Sequence, residues 1–192
     1  MKRKRGCIRP VLMIAFVGLL LYFFAGNGKE FVLKNIYPVK YQDYVERYAE
    51  EYSLDKYLVY SVIKVESGFD PEAYSRVGAK GLMQLMDKTA SECNEKGNFG
   101  YRIPSDLYDP EKNIRLGCFY LSSLYEIYGD MELVITAYNG GTGNVDKWLD
   151  DDKLADGKGG LADIPYEETK NYVEKVQRTF EAYNKLYKTN EH

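Results

Sequence analysis

From Tyr41 to Tyr187 the apolar residues recur at three- and four-residue intervals, and glycines and prolines punctuate the pattern. That rhythm favours helices packed against one another, and no segment carries a convincing strand signal. YQDYVERYAEEY opens the series. A second helix is expected from Asp55 to Ser67, with Ser53 or Asp55 available as its cap. GLMQLMDKTASECNEKG reads as a third, ended by Gly97, and a loop from Asn98 to Asp109 carries Gly100 and Pro104. PEKNIRLGCFYLSSLYEIYG has Pro110 at its start and Gly129 at its stop. DMELVITAYNGG is closed by paired glycines, and GNVDKWLDD is short. DDKLADGKGGLAD reads as a polar, mobile loop, and PYEETKNYVEKVQRTFEAYNKLY as a long final helix. The expectation is an all-α domain over residues 41–192.

The N-terminus follows different rules. MKRKRGCIRP, residues 1–10, is basic, and residues 11–26 form an unbroken apolar run. A membrane anchor and a signal peptide both fit. No clean A-x-A site follows the run, and Cys7 precedes it, which argues against a lipoprotein anchor. The expectation is a retained anchor helix at residues 11–26, a cytoplasmic basic tail at 1–10 and a linker at 27–40. Everything from residue 27 onward then lies outside the cytoplasmic membrane. A cleaved signal would instead release the domain. Cys93 and Cys118 fall in helical patterns, so two buried free thiols are expected rather than a disulfide.

Composition narrows the chemistry. The net charge of −3 over 192 residues gives no reason to expect nucleic-acid binding. The single histidine is His192, the last residue, which leaves Ser-His-Asp, Cys-His and histidine-rich zinc sites without a well-placed imidazole. Neither a metal nor a cofactor is expected. Carboxylates, hydroxyls and amides must do any catalytic work. The 19 tyrosines suit amphipathic helices with polar tips, or faces on which sugar rings stack.

Glu66 is the residue that stands out. It ends the apolar run YLVYSVIKVES and shares a helical face with Val62 and Ile63. If that face is buried, the carboxyl holds its proton near neutral pH, as a general acid for glycosidic cleavage must. If it is not, Glu66 is a solvated helix end.

The chain order of Glu66-Ser67, AYSRVGAKGLMQLM, AYNGG and IPYEETKNYV resembles the catalytic domain of lytic transglycosylases of the soluble-lytic-transglycosylase type, over roughly Tyr41 to Tyr187. The resemblance implies a fold like goose-type lysozyme, with peptidoglycan glycan strands as the partner. It implies that Glu66 is the sole catalytic acid and base, and that the Ser75 hydroxyl hydrogen-bonds it. Gly78 and Gly81 would let backbone approach the cleft. Gln84 and Met86 would line the groove, Leu82 would pack in the core, and Tyr138 and Asn139 would lie near the scissile bond. Glu168 would contribute to subsite binding, with Tyr172 on the same helical face. Asn113-Ile114 reads as mainly structural.

Each position has an ordinary alternative: a turn for Ser75 and the glycines, core packing for Met86, a helix cap for Asn139, a first-turn acid for Glu168. The implied reaction leaves a 1,6-anhydromuramoyl end. A hydrolytic muramidase on the same fold and a non-catalytic peptidoglycan-binding scaffold are the alternatives.

Overall fold

The computed structural model describes residues 8–25 and 28–188. The chain divides into two compact units with the boundary after Pro38. The expectations placed on Cys7, on His192 and on most of the basic tail lie outside the described residues.

In the first unit, α1 (Ile8–Ala25) carries the apolar run, and its side chains from Pro10 to Phe23 are exposed. No single described helix is long and apolar enough to cross a membrane. Pro10–Phe23 and Gly28–Ile36 meet that requirement only together, as a pair bent by 63°. The stretch expected as an open linker is helical over α2 (Gly28–Ile36). Glu30 in its first turn and Lys34 in its last pair at 2.7 Å, and each sign suits the helix dipole at its end.

The second unit is helical, with isolated bridges in place of strands among the described residues. Its elements are α3 (Gln42–Glu51), α4 (Lys56–Ser67), α5 (Asp87–Lys96), a 3₁₀ turn (Ser105–Tyr108), α6 (Pro110–Tyr128), α7 (Met131–Gly140), α8 (Thr142–Leu149) and α9 (Glu167–Tyr187). Side-chain caps fix the starts. Asp55, not Ser53, accepts the Tyr57 amide at 2.8 Å, Asp109 accepts from Lys112, and Asp130 accepts from Glu132 and Leu133. Gly68 and Gly129 close α4 and α6 in the left-handed conformation expected at helix ends.

Helix α4 is the centre of this unit. Leu58, Val59, Tyr60, Val62 and Ile63 are all at most 1% exposed, and α9 lies along α4. Tyr57, Tyr60, Tyr183 and Tyr187 stack between the two helices at 5.6–6.4 Å. Helix α7 packs on both α6 and α9, so the last turns of α4 and α7 are framed by the same long helix. Cys93 and Cys118 are buried free thiols, as expected.

One predicted helix was too long. Leu82, Met83, Leu85 and Met86 are spaced like a helical face, but residues 81–85 form a turn and α5 begins only at Asp87. Gly78, Gly81 and Gln84 take φ of 94°, 74° and 47°, which no right-handed helix accommodates.

Candidate active site

Glu66 occupies the last turn of α4, after a buried run from Tyr57 to Ile63. It is only partly accessible to solvent, and burial pushes its carboxyl up to about 7, against an ordinary 4.5. The cause is desolvation, which penalises the charged form. Tyr172, on α9, acts weakly in the opposite sense. Its hydroxyl is buried without a hydrogen bond of ordinary length and angle, yet it lies near enough to Glu66 for each to influence the other's ionisation. Burial holds both phenols well above their ordinary range, and the nearby Glu66 charge, felt also by Tyr138 on α7, adds to it. Three helices thus bring Glu66, Tyr138 and Tyr172 together.

The loop of residues 73–86 forms the neighbouring wall, and hydrogen bonds fix its shape. Lys80 and Leu85 exchange backbone bonds at 3.0 Å, and the Gly81 amide donates to the Ala73 carbonyl at 2.9 Å. Asn113, buried in α6, ties the loop from behind. Its Oδ1 accepts the Met83 amide at 2.8 Å, and its Nδ2 donates to the Lys80 and Leu107 carbonyls at 3.0 and 2.8 Å. A side chain at Gly81 would collide with the Leu107 carbonyl and with Asn113, so glycine is required there by space as well as by φ. Ser67 joins the end of α4 to the same loop, donating to the Leu82 carbonyl at 2.8 Å. Lys80 braces the outer edge, with its ammonium 2.6 Å from Asp87 and 2.9 Å from the Gly78 carbonyl.

The expected site residues divide by what they do here. Tyr138 donates to the Met83 carbonyl at 2.8 Å, which holds the phenol between α7 and the loop. Gln84 spends its amide donor on the Ala73 and Gly81 carbonyls, so the donor expected for a sugar is committed to the loop. The Ser75 hydroxyl accepts the Ala79 amide at 2.9 Å and is not hydrogen-bonded to Glu66, a correction to the expected contact. Gly78 sits in that same turn.

Met86 is 42% exposed and presents a thioether to solvent at the start of α5, so it is not a core residue. Leu82 is wholly buried, as expected of a core residue. Asn139 is exposed beside Tyr138, and the end of α7 is closed by Gly141 rather than by the Asn139 side chain. Glu168 is exposed in the first turn of α9, and Tyr172, four residues on along the same helical face, is buried.

Two contributors were missed. Ser67 looked trivial beside Glu66, yet it makes the joint between α4 and the loop. Tyr120 of α6 packs against Tyr138 with ring centroids 5.3 Å apart. Its place within RLGCFYL, one residue off the buried face of α6, was the available signal. Among the described residues no group of three or more His, Cys, Asp or Glu side chains could hold a metal ion.

The sequence profile of the transglycosylase SLT domain matches residues 43–159. The soluble lytic murein transglycosylase of Escherichia coli (strain K12) is 33% identical over 158 residues, 81% of this chain and 24% of that protein. The membrane-bound lytic murein transglycosylase C of Edwardsiella ictaluri is 43% identical over 124 residues, 59% of this chain and 34% of that protein. The crystal structure of the 70-kDa soluble lytic transglycosylase from Escherichia coli superposes with a TM-score of 0.74 at 33% identity, covering 80% of this chain and 25% of that one. A complex of the 70-kDa soluble lytic transglycosylase with bulgecin A gives 0.75 at 32%, covering 83% of this chain and 26% of that one. The matched region is about a quarter to a third of the length of these relatives.

Proposed function

Since the chain belongs to the transglycosylase SLT domain family, we propose that residues 41–192 are a peptidoglycan lytic transglycosylase. The substrate is the β-1,4 bond between N-acetylmuramic acid and N-acetylglucosamine, in keeping with the murein named for the relatives. The observation that carries the reading is one carboxyl poised near neutrality, at the end of an apolar helix and between two phenols.

Glu66 gives its proton to the bridging oxygen as the bond to C1 breaks. The substrate's own N-acetyl carbonyl steadies the cation developing at C1. Glu66, now a carboxylate, takes the proton of the C6 hydroxyl, and O6 closes onto C1. The products are a free 4-hydroxyl on N-acetylglucosamine and a 1,6-anhydromuramoyl end, and Glu66 finishes protonated as it began. One residue serves as acid and then as base, which a pKa near the working pH favours. Tyr138 fixes the loop wall through Met83, and Met86 offers an apolar contact to sugar carbons. Asn139 at the end of α7 and Glu168 at the start of α9 present exposed polar groups.

Mass spectrometry of digested peptidoglycan tests this. Anhydromuramoyl ends are expected, and they should vanish with Glu66→Gln. Hydrated reducing ends would identify a hydrolytic muramidase instead. Binding without cleavage by the unmutated chain would identify a scaffold.

We further infer that residues 11–26 anchor the chain in the cytoplasmic membrane. The basic tail of residues 1–10 would lie inside, and residues 27–192 would face the wall. The exposed apolar surface of α1 supports this, and so does the membrane-bound relative. Protease added to intact spheroplasts should destroy the catalytic domain. A domain that survives until the cells are permeabilised would overturn the orientation.

A further inference from the structure

Helix α2 holds apolar side chains in the open: Phe31 is 63% exposed, Val32 39% and Ile36 49%. At about 100° per residue, Val32 and Ile36 fall on one side of this helix and the Glu30–Lys34 pair on the other, with Phe31 and the half-buried Leu33 between them. A helix whose surface divides in that way suits a boundary between water and an apolar phase.

The first unit itself indicates which boundary. The apolar part of α1, from Pro10 to Ala25, reaches about 24 Å at 1.5 Å per residue, short of the roughly 30 Å hydrocarbon core of a bilayer. Once α1 is inserted, its outer end therefore rises no higher than the headgroups. Tyr22, 81% exposed near that end, is a side chain that favours the same level. Gly28 then starts α2 hard against α1, because a side chain there would collide with the Phe23 carbonyl and ring. The bend of 63° turns α2 well away from the axis of α1, and a tilt of about 20°, ordinary for a spanning helix, is enough to lay α2 almost flat on the membrane.

Charge agrees. Of the 29 acidic residues only Glu30 precedes residue 41, whereas Lys29, Lys34 and Lys40 all lie between residues 28 and 40. The lysines favour anionic headgroups, and the acidic catalytic unit does not. Nine residues are too few to make a stable helix alone in water, but insertion of α1 makes docking of α2 an intramolecular step.

We propose that α2 is an interfacial helix seated in the outer headgroup layer, with Val32 and Ile36 toward the acyl chains and the Glu30–Lys34 pair toward water. The stretch between anchor and catalytic unit is then part of the membrane attachment rather than a free tether. The proposal rests on the anchor reading above and extends it to the residues that follow the span.

The test uses the full chain with Cys7→Ser, reconstituted in vesicles of equal parts phosphatidylcholine and phosphatidylglycerol. A nitroxide is attached in turn at Val17→Cys, Val32→Cys, Lys34→Cys and Ile36→Cys. Cys93 and Cys118 are buried, and the parent without an added cysteine checks that they stay unlabelled. The ratio of collisions with oxygen to collisions with a water-soluble nickel chelate reports lipid exposure. It should be high at 17, 32 and 36, and lower at 34 by about tenfold. Position 17 in water would defeat the anchor reading and this proposal with it. Position 17 in lipid with 32, 34 and 36 all in water would leave the anchor standing and overturn the interfacial helix alone. Positions 32, 34 and 36 all in lipid would make α2 the outer end of a span, and shielding of 32 and 36 from both reagents would make their side a protein contact; each result overturns the proposal.

Discussion

Two irregular segments of the catalytic unit make an instructive pair. Residues 73–86 and residues 150–163 are both loops rich in turns, and both fold back on themselves, the first through two isolated bridges and the second through one. The first is tied to distant helices. Asn113 holds it from 30 and 33 residues away, Ser67 from 15 and Tyr138 from 55. The second is tied almost wholly to itself: Asp151 accepts from Lys153, and Asp156 accepts from Lys158 and Gly160. Beyond backbone bonds to the end of α8, its outward side-chain link among the described residues is Lys170 to Asp163 at 2.6 Å, between groups that are both well exposed. Long-range ties fix a wall in relation to Glu66, while local ties merely shape a surface turn. Catalytic geometry should therefore depend on the first loop and be nearly indifferent to the second.

The largest effect belongs to the carboxyl that the first loop surrounds. Glu66→Gln should cut the yield of anhydromuramoyl ends by about a thousandfold with the fold intact, read by mass spectrometry and circular dichroism. Next come the ties. Asn113→Ala strands the buried Met83 amide and Leu107 carbonyl and should cost about 2–4 kcal/mol in chemical denaturation, with turnover falling in parallel. Gly81→Ala should cost at least about 2 kcal/mol, because the added methyl meets backbone and the φ of 74° is strained for alanine. If either variant kept full stability, the loop would owe its shape to something else.

Titration gives a subtler separation. The folded-state pKa of Glu66 lies above its ordinary value, so activity that needs the acid form should fall as pH rises through about 7. The same raised pKa favours the folded state below about 4.5, and that contribution is lost as pH rises through about 7. Glu66→Gln should thus raise Tm relative to the unmutated chain at pH 8 but not at pH 4, and a constant difference would contradict the burial. The smallest effect lies in the second loop. Asp156→Ala should leave activity unchanged and Tm within about 2 °C. A marked loss of turnover would bring that loop into the catalytic apparatus.

Much of the helical framework was legible because its signals are local. Asp55, Pro110, Gly129 and Asp130 mark helix ends through bonds or dihedrals made within a few residues. The GLMQLM stretch misled because apolar spacing cannot show that Gln84 has positive φ, nor that Asn113 waits 30 residues away to receive the Met83 amide. Glycine 28 and the short charged run after it looked like a connector, since nine residues give little periodicity to read.

At the site, Glu66 was conspicuous from its apolar neighbours alone, whereas the other positions came from the resemblance. Even so, Ser75 and Gln84 proved to spend hydrogen-bonding groups on their own loop, because an exposed turn must satisfy its backbone before it can offer anything to a ligand.

Gly117, in the middle of α6, faces Met83, and even one added carbon there would press on the Met83 sulfur. Met83 takes the Asn113 bond on its amide and the Tyr138 bond on its carbonyl. A screen for sluggish variants would therefore recover changes at this bare spot on the far side of the wall, in a residue that never meets a sugar.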